Sequence, residues 1–158
     1  VVAYLRVHLT RPSVVFRAFN SILSKVGRFA PEEVVLSLIR SNCIPCLMYA
    51  VEACPFYARH KRSFDFTLTR TLMKLFRTGS AAIIKECQQY FNLLPLRFQV
   101  DIRTASFLEQ FIVSTNSVCL LFKTHAQRNV QDIYLNYGSN VNSVGSLRAA
   151  INTLFASL

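Results

Sequence analysis

Lysine and arginine are the residues whose spacing in this chain could do chemistry. Arg59, Arg70, Lys74 and Arg77 line one side of a segment of helical periodicity, about Tyr57 to Thr78. The opposite side is an apolar stripe of Phe64, Leu68, Leu72, Leu75 and Phe76. Arg17, Lys25 and Arg28 stand in the same relation to an earlier stripe, Val15, Phe16, Phe19, Ile22, Leu23 and Val26. Cations placed this way point outward, where they can track a phosphate backbone and release its condensed counterions. Lys61 and Arg62 extend the run Arg59-His60-Lys61-Arg62, and Phe56 and Tyr57 just before it could stack on a base or sugar. The plain alternative is a solvated basic face beside two core aromatics. Residues 1–77 hold 12 basic and 4 acidic side chains, a balance of +8, whereas residues 78–158 hold 6 and 4, a balance of +2. The charge is therefore concentrated where these faces lie.

Other chemistries find little support. Two-metal phosphoryl transfer needs carboxylates converging on ions about 4 Å apart. The adjacent pair Glu32-Glu33 opens a helix, where the positive end of the helix dipole explains both charges. Asp65 and Asp101 sit beside basic residues on helices and read as surface charges. Cys43-Ile44-Pro45-Cys46 has redox spacing, but it lies in an apolar segment without a strand–helix context, so packing explains it better. His8, His60 and His125 are far apart, and no phosphate loop or glycine-rich dinucleotide loop is present. No catalytic residue is assigned, and no metal site.

A scaffold for the basic faces follows from composition. Of 158 residues, 52% are hydrophobic and 16% charged, with a net charge of +10, enough apolar material for a core and too much for a disordered basic tail. Only 4 Gly and 5 Pro disfavour a turn-rich β sandwich. The fold class expected is all-α, mainly a helical bundle, with a short N-terminal β-strand stub where residues 3–9 alternate apolar and polar. Pro31-Glu32-Glu33 starts a helix to about Asn42, which Ile44-Pro45 breaks or kinks. A second helical stretch, Cys46 to Cys54, is apolar nearly all round and should be central to the core. Ser80 caps a helix through Tyr90, Pro95 leads into a helix over 96–114, Gly138 stops the next, and a last helix covers 144–156.

The apolar run 43–58 contains Glu52, Pro45 and Pro55 and falls short of the roughly 20 residues a bilayer requires, so no membrane partner is expected. Five cysteines, an odd count with four of them in strongly apolar surroundings, suit free thiols in a reducing compartment. The chain opens on Val1 with no secretory signal pattern and reads as part of a longer polypeptide.

An ordered series of motifs carries a family resemblance. It begins with Phe16-Arg17-Ala18-Phe19-Asn20 leading to Lys25-Val26-Gly27-Arg28, then Glu33-Val34-Val35-Leu36. It continues with Cys43-Ile44-Pro45, Leu47-Met48-Tyr49-Ala50-Val51-Glu52-Ala53-Cys54-Pro55, Phe64-Asp65-Phe66 and Met73-Lys74-Leu75-Phe76-Arg77-Thr78, and ends with Glu86-Cys87-Gln88-Gln89-Tyr90-Phe91. This series resembles the region just after the polymerase domain in non-LTR (LINE-type, jockey-like) retrotransposon reverse transcriptases. Tyr4-Leu5-Arg6-Val7 is similar to the strand that closes the palm there, with Arg6 where the family has glycine.

The resemblance implies residues 1–10 as a remnant of that strand, 11–115 as a helical thumb-like domain and 116–158 as a C-terminal helical extension. It implies a fragment of an RNA-directed DNA polymerase that binds primer–template nucleic acid, RNA or DNA, without the catalytic palm, and so is inactive alone. Arg17, Lys25, Arg28, Arg59, Lys61, Arg62, Arg70, Lys74 and Arg77 would make the contacts. It implies no cofactor in this chain, Mg2+ belonging to the full-length enzyme, with the missing palm and fingers as further partners. The setting would be intracellular, nucleus or cytoplasm. The alternative is a non-catalytic helical protein-interaction bundle or the product of a decayed element.

Overall fold

Residues 32–48 wind as one unbroken helical run that changes pitch midway. In the computed structural model, which describes residues 16–26, 29–49, 51–52 and 56–157, this run is α2 (Glu32–Leu38), a π turn (Ile39–Cys43) and α3 (Ile44–Met48). The Ile44 N–H donates to the Ile39 carbonyl, a five-residue reach that lodges one extra residue in the turn. Pro45 follows in the first turn of α3. A proline ring ordinarily collides with the carbonyl four residues back and breaks a helix. Widening the turn shifts those carbonyls, so the expected break becomes a bulge. The helix then ends at Met48, where Tyr49 turns extended (φ −62°, ψ 126°), instead of continuing to Cys54. An apolar run without a clear period does not mark its own end.

The described residues are all-α, with no strand among them. The expected strand stub at 1–10 lies outside the described residues. They form two compact units. One contains the residues up to Tyr49 and Phe56–Phe91; the other contains Val51, Glu52 and the residues from Asn92 on.

The first unit comprises α1 (16–26), the α2–π–α3 run, α4 (Ala58–Leu75) and α5 (Ala81–Tyr90). On α4 the buried positions Phe64, Thr67, Leu68, Thr71, Leu72 and Leu75 recur at three- and four-residue intervals, the period of one helix face. Phe19, Val35, Ile39, Leu47 and Ile84 are among the unit's other buried residues. The α4 helix stops before Gly79. Arg77 itself takes the left-handed conformation (φ 52°), and the Thr78 N–H donates back to the Met73 carbonyl at 3.1 Å, closing a Schellman turn. Ser80 caps α5 as expected, its hydroxyl accepting from the Ile83 N–H.

The second unit comprises α6 (Leu96–Val113), α7 (Ser117–Leu135) and α8 (Val144–Ser157) around Phe98, Ala105, Leu108, Ala126, Val130, Tyr134, Leu147 and Ile151. Asn116 caps α7 by accepting from the Val118 N–H at 2.9 Å. Ser143 and Ser146 cap α8 reciprocally, each hydroxyl accepting the other's N–H. Two carboxylates of α6 turn inward. Asp101 is buried and accepts the Tyr137 hydroxyl at 2.6 Å, which corrects its reading as a surface charge. Glu109 Oε1 accepts both the Tyr134 hydroxyl at 2.5 Å and the Val144 N–H at 3.2 Å, so one oxygen joins all three helices. Burial, and then the bond to Glu109 and its charge, push the Tyr134 phenol above its ordinary range.

Candidate nucleic-acid interface

Helical geometry sorts the basic residues of α4. At about 100° per residue, Arg59, Arg62, Phe66, Arg70 and Lys74 fall within a sector of about 120°, on the side away from the buried stripe; Arg77 follows in the left-handed turn that ends the helix. The five cations are exposed. Asp65, the acidic residue of this helix, lies about 120° from the sector's centre, so the face carries one sign of charge. Lys61 falls about 200° round from Arg59, on the edge of the buried side, and is half-buried. The structure therefore separates Lys61 from the other five.

A second helix joins this face. Lys74 Nζ donates to Asn20 Oδ1 of α1 at 2.9 Å and lies 4.8 Å from the centre of the Phe16 ring. On α1, Arg17 is exposed about 80° round from that seam, whereas Lys25, also exposed, falls about 160° round, on the far side of the helix. Arg28, also expected at the site, lies outside the described residues.

Aromatic rings are interleaved with the cations. The Arg70 guanidinium lies over the Phe66 ring at 5.6 Å, and that of Arg59 over Tyr57 at 5.8 Å, both within cation–π range. Phe66 is 64% exposed and Tyr57 56%. Phe56 behaves differently: it packs edge-on against the buried Phe64 at 4.9 Å and belongs to the core side. Of the two aromatics expected to stack, only Tyr57 is presented. Phe66 was not among the candidates; its signal was its position four residues from both Arg62 and Arg70, which puts it on their face.

His60 sits at the start of this face. The Tyr57 N–H donates to its Nδ1 at 3.3 Å, and Arg59 Nε lies 3.2 Å from its Nε2. A neutral imidazole has one acceptor nitrogen, so only one of these contacts is a hydrogen bond at a time. Burial and then the Arg59 charge hold the imidazole below its usual pKa, which keeps it neutral.

Elsewhere the structure offers less. Cys43 is buried in the π turn, and burial together with Cys46 pushes its thiol up, away from the reactive thiolate; both cysteines are free. In the second unit a cleft of about 220 Å3 is lined by Glu52, Arg103, Phe107, Gln110 and Arg148. It is smaller than the roughly 300–1,000 Å3 of ligand pockets, and Arg103 is engaged with Glu52 at 3.6 Å. Among the described residues no three His, Cys, Asp or Glu side chains are grouped to hold a metal ion, and no helix is long and apolar enough to cross a membrane. The chain matches no protein-family model, no curated protein and no solved structure at a significant level.

Proposed function

We propose that this chain is a nucleic-acid-binding helical module, the thumb-like region of a retrotransposon-type RNA-directed DNA polymerase, without a catalytic site of its own. The observation that carries the reading is the face of α4 and the turn that ends it, where Arg59, Arg62, Arg70, Lys74 and Arg77 are exposed with no carboxylate among them. Such a face gains free energy from any phosphate backbone by counterion release. Its order of motifs, similar to the post-palm region of non-LTR reverse transcriptases, makes primer–template RNA or DNA the partner and the nucleus or cytoplasm the setting. The missing palm and fingers would supply the carboxylates and the Mg2+ of the polymerase reaction. Among the described residues no group of three His, Cys, Asp or Glu side chains takes their place.

The test is fluorescence anisotropy with an RNA–DNA primer–template duplex, titrated with salt. Micromolar or tighter binding is expected, with a log–log salt slope falling by about 0.9 for each phosphate contact removed. A variant with Arg70→Ala, Lys74→Ala and Arg77→Gly should lose most of the affinity at low salt. Unchanged affinity in this variant, with its helicity intact, rules the face out.

A second reading, a protein-interaction bundle, is favoured by α7. Val118, Leu121 and Phe122 are 60%, 78% and 52% exposed at helical spacing in the first two turns of α7, ahead of the buried Ala126 and Val130. If that stripe mediates self-association, sedimentation will show a concentration-dependent oligomer that Leu121→Glu dissolves. A monomer at every concentration, with nucleic-acid binding intact, decides for the first reading.

A further inference from the structure

The face of α4 carries more than charge, and the surplus selects among nucleic acids. We infer that it takes single-stranded nucleic acid in preference to duplex, stacking bases on Tyr57 and Phe66; the inference rests on the nucleic-acid reading above.

Three cation–aromatic pairs run along this face: Arg59 on Tyr57, Arg70 on Phe66 and Lys74 on Phe16. A duplex offers such a face phosphates and sugars only, because its base faces are already stacked on one another. Two largely exposed rings would then meet a charged backbone and gain little from it. A single strand offers both kinds of contact, phosphates for the guanidinium groups and base faces for the rings. Arginines held over rings also present the outer plane of the guanidinium, a second surface on which a base can stack.

The two rings are separate stacking points. Phe66 stands among the cations of the α4 face, between Arg62 and Arg70, whereas Tyr57 lies at the helix start, about two and a half turns away, and is tied to the face through the Arg59 guanidinium over its ring. No residue on the face is arranged to read a base edge, so binding should tolerate sequence.

The experiment compares a twelve-nucleotide oligouridine with a twelve-base-pair duplex by anisotropy at the same salt, using the full chain. The single strand should bind at least fivefold more tightly. Phe66→Ala and Tyr57→Ala should each weaken single-strand binding five- to a hundredfold and leave duplex binding within twofold, whereas Phe66→Trp should restore it. Both rings are exposed, so circular dichroism should show the helices unchanged. Equal or tighter duplex binding, or single-strand affinity untouched by both alanine variants, overturns the inference while leaving a phosphate-binding face in place. Absence of binding to either probe overturns it together with the nucleic-acid reading.

Discussion

Lys74 and Asn20, 54 residues apart in the chain, meet at 2.9 Å and tie α4 to α1. With the Lys74 ammonium over the Phe16 ring, this contact marks the seam where the cation face of α4 meets α1. The bond is exposed, so water competes for both partners and its net contribution falls below that of a buried hydrogen bond to a charged group. Asn20→Ala should lower the unfolding free energy by about 0.5–1 kcal/mol, measured by urea denaturation. A loss beyond about 2 kcal/mol would mean that Asn20 does something other than orient Lys74.

Arg77 holds a left-handed backbone (φ 52°) that L side chains adopt at a cost of about 1–2 kcal/mol. Arg77→Gly relieves that strain, offset partly by glycine's greater freedom when unfolded, and should stabilise the chain by about 0.5–1 kcal/mol. Arg77→Ala keeps the strain and should leave stability almost unchanged. Both remove the charge, so both should reduce the duplex salt slope by about 0.9 if Arg77 meets a phosphate. Thermal melts and salt titrations of the pair separate the backbone effect from the electrostatic one.

Local chemistry made much of this fold legible. Pro31 with Glu32 and Glu33, Ser80, Pro95 and Gly138 each mark a helix end through an effect confined to a few residues, and the helices begin or stop close to them. Periodicity likewise placed Arg59, Arg70 and Lys74 of α4 opposite its buried stripe. What escaped depends on contacts distant in sequence or on backbone alternatives of similar energy. Pro45 read as a break because the π turn that admits it has no side-chain signature. Gly79 drew the end of α4 toward itself, although Arg77 tolerates the left-handed turn. Asp101 read as a surface charge because its partner, Tyr137, is 36 residues away. Phe66 was passed over because apolar residues on a polar face are common singly, and only the stacked Arg70 gives this one a role.

Glu109 is the polar junction of the second unit, one oxygen accepting from Tyr134 and from the first N–H of α8. Removing it by Glu109→Leu leaves two partly buried donors without an acceptor. The expected loss is about 2–3 kcal/mol, with faster hydrogen exchange at Val144 as α8 frays from its start. Glu109→Gln retains an acceptor oxygen and should cost about 1 kcal/mol. Equal losses in the two variants would show that charge, not acceptor geometry, holds the junction.

His60 makes the stability of the first unit depend on pH. Its folded pKa is depressed, so the unfolded chain binds the proton more readily, beginning near the ordinary value of about 6.5. Between the two pKa values the unfolded state holds more protons, and stability rises with pH. The contribution is complete above about pH 6.5 and is lost as pH falls through the lower folded value. Protonation also takes Nδ1 away from the Tyr57 N–H and sets a second charge beside Arg59. Thermal melts between pH 7.5 and 5 should therefore show a falling midpoint for the native chain, and a smaller fall for His60→Asn, whose side-chain oxygen can still accept from the Tyr57 N–H but does not titrate. Parallel curves for the two proteins would assign the pH dependence to other groups.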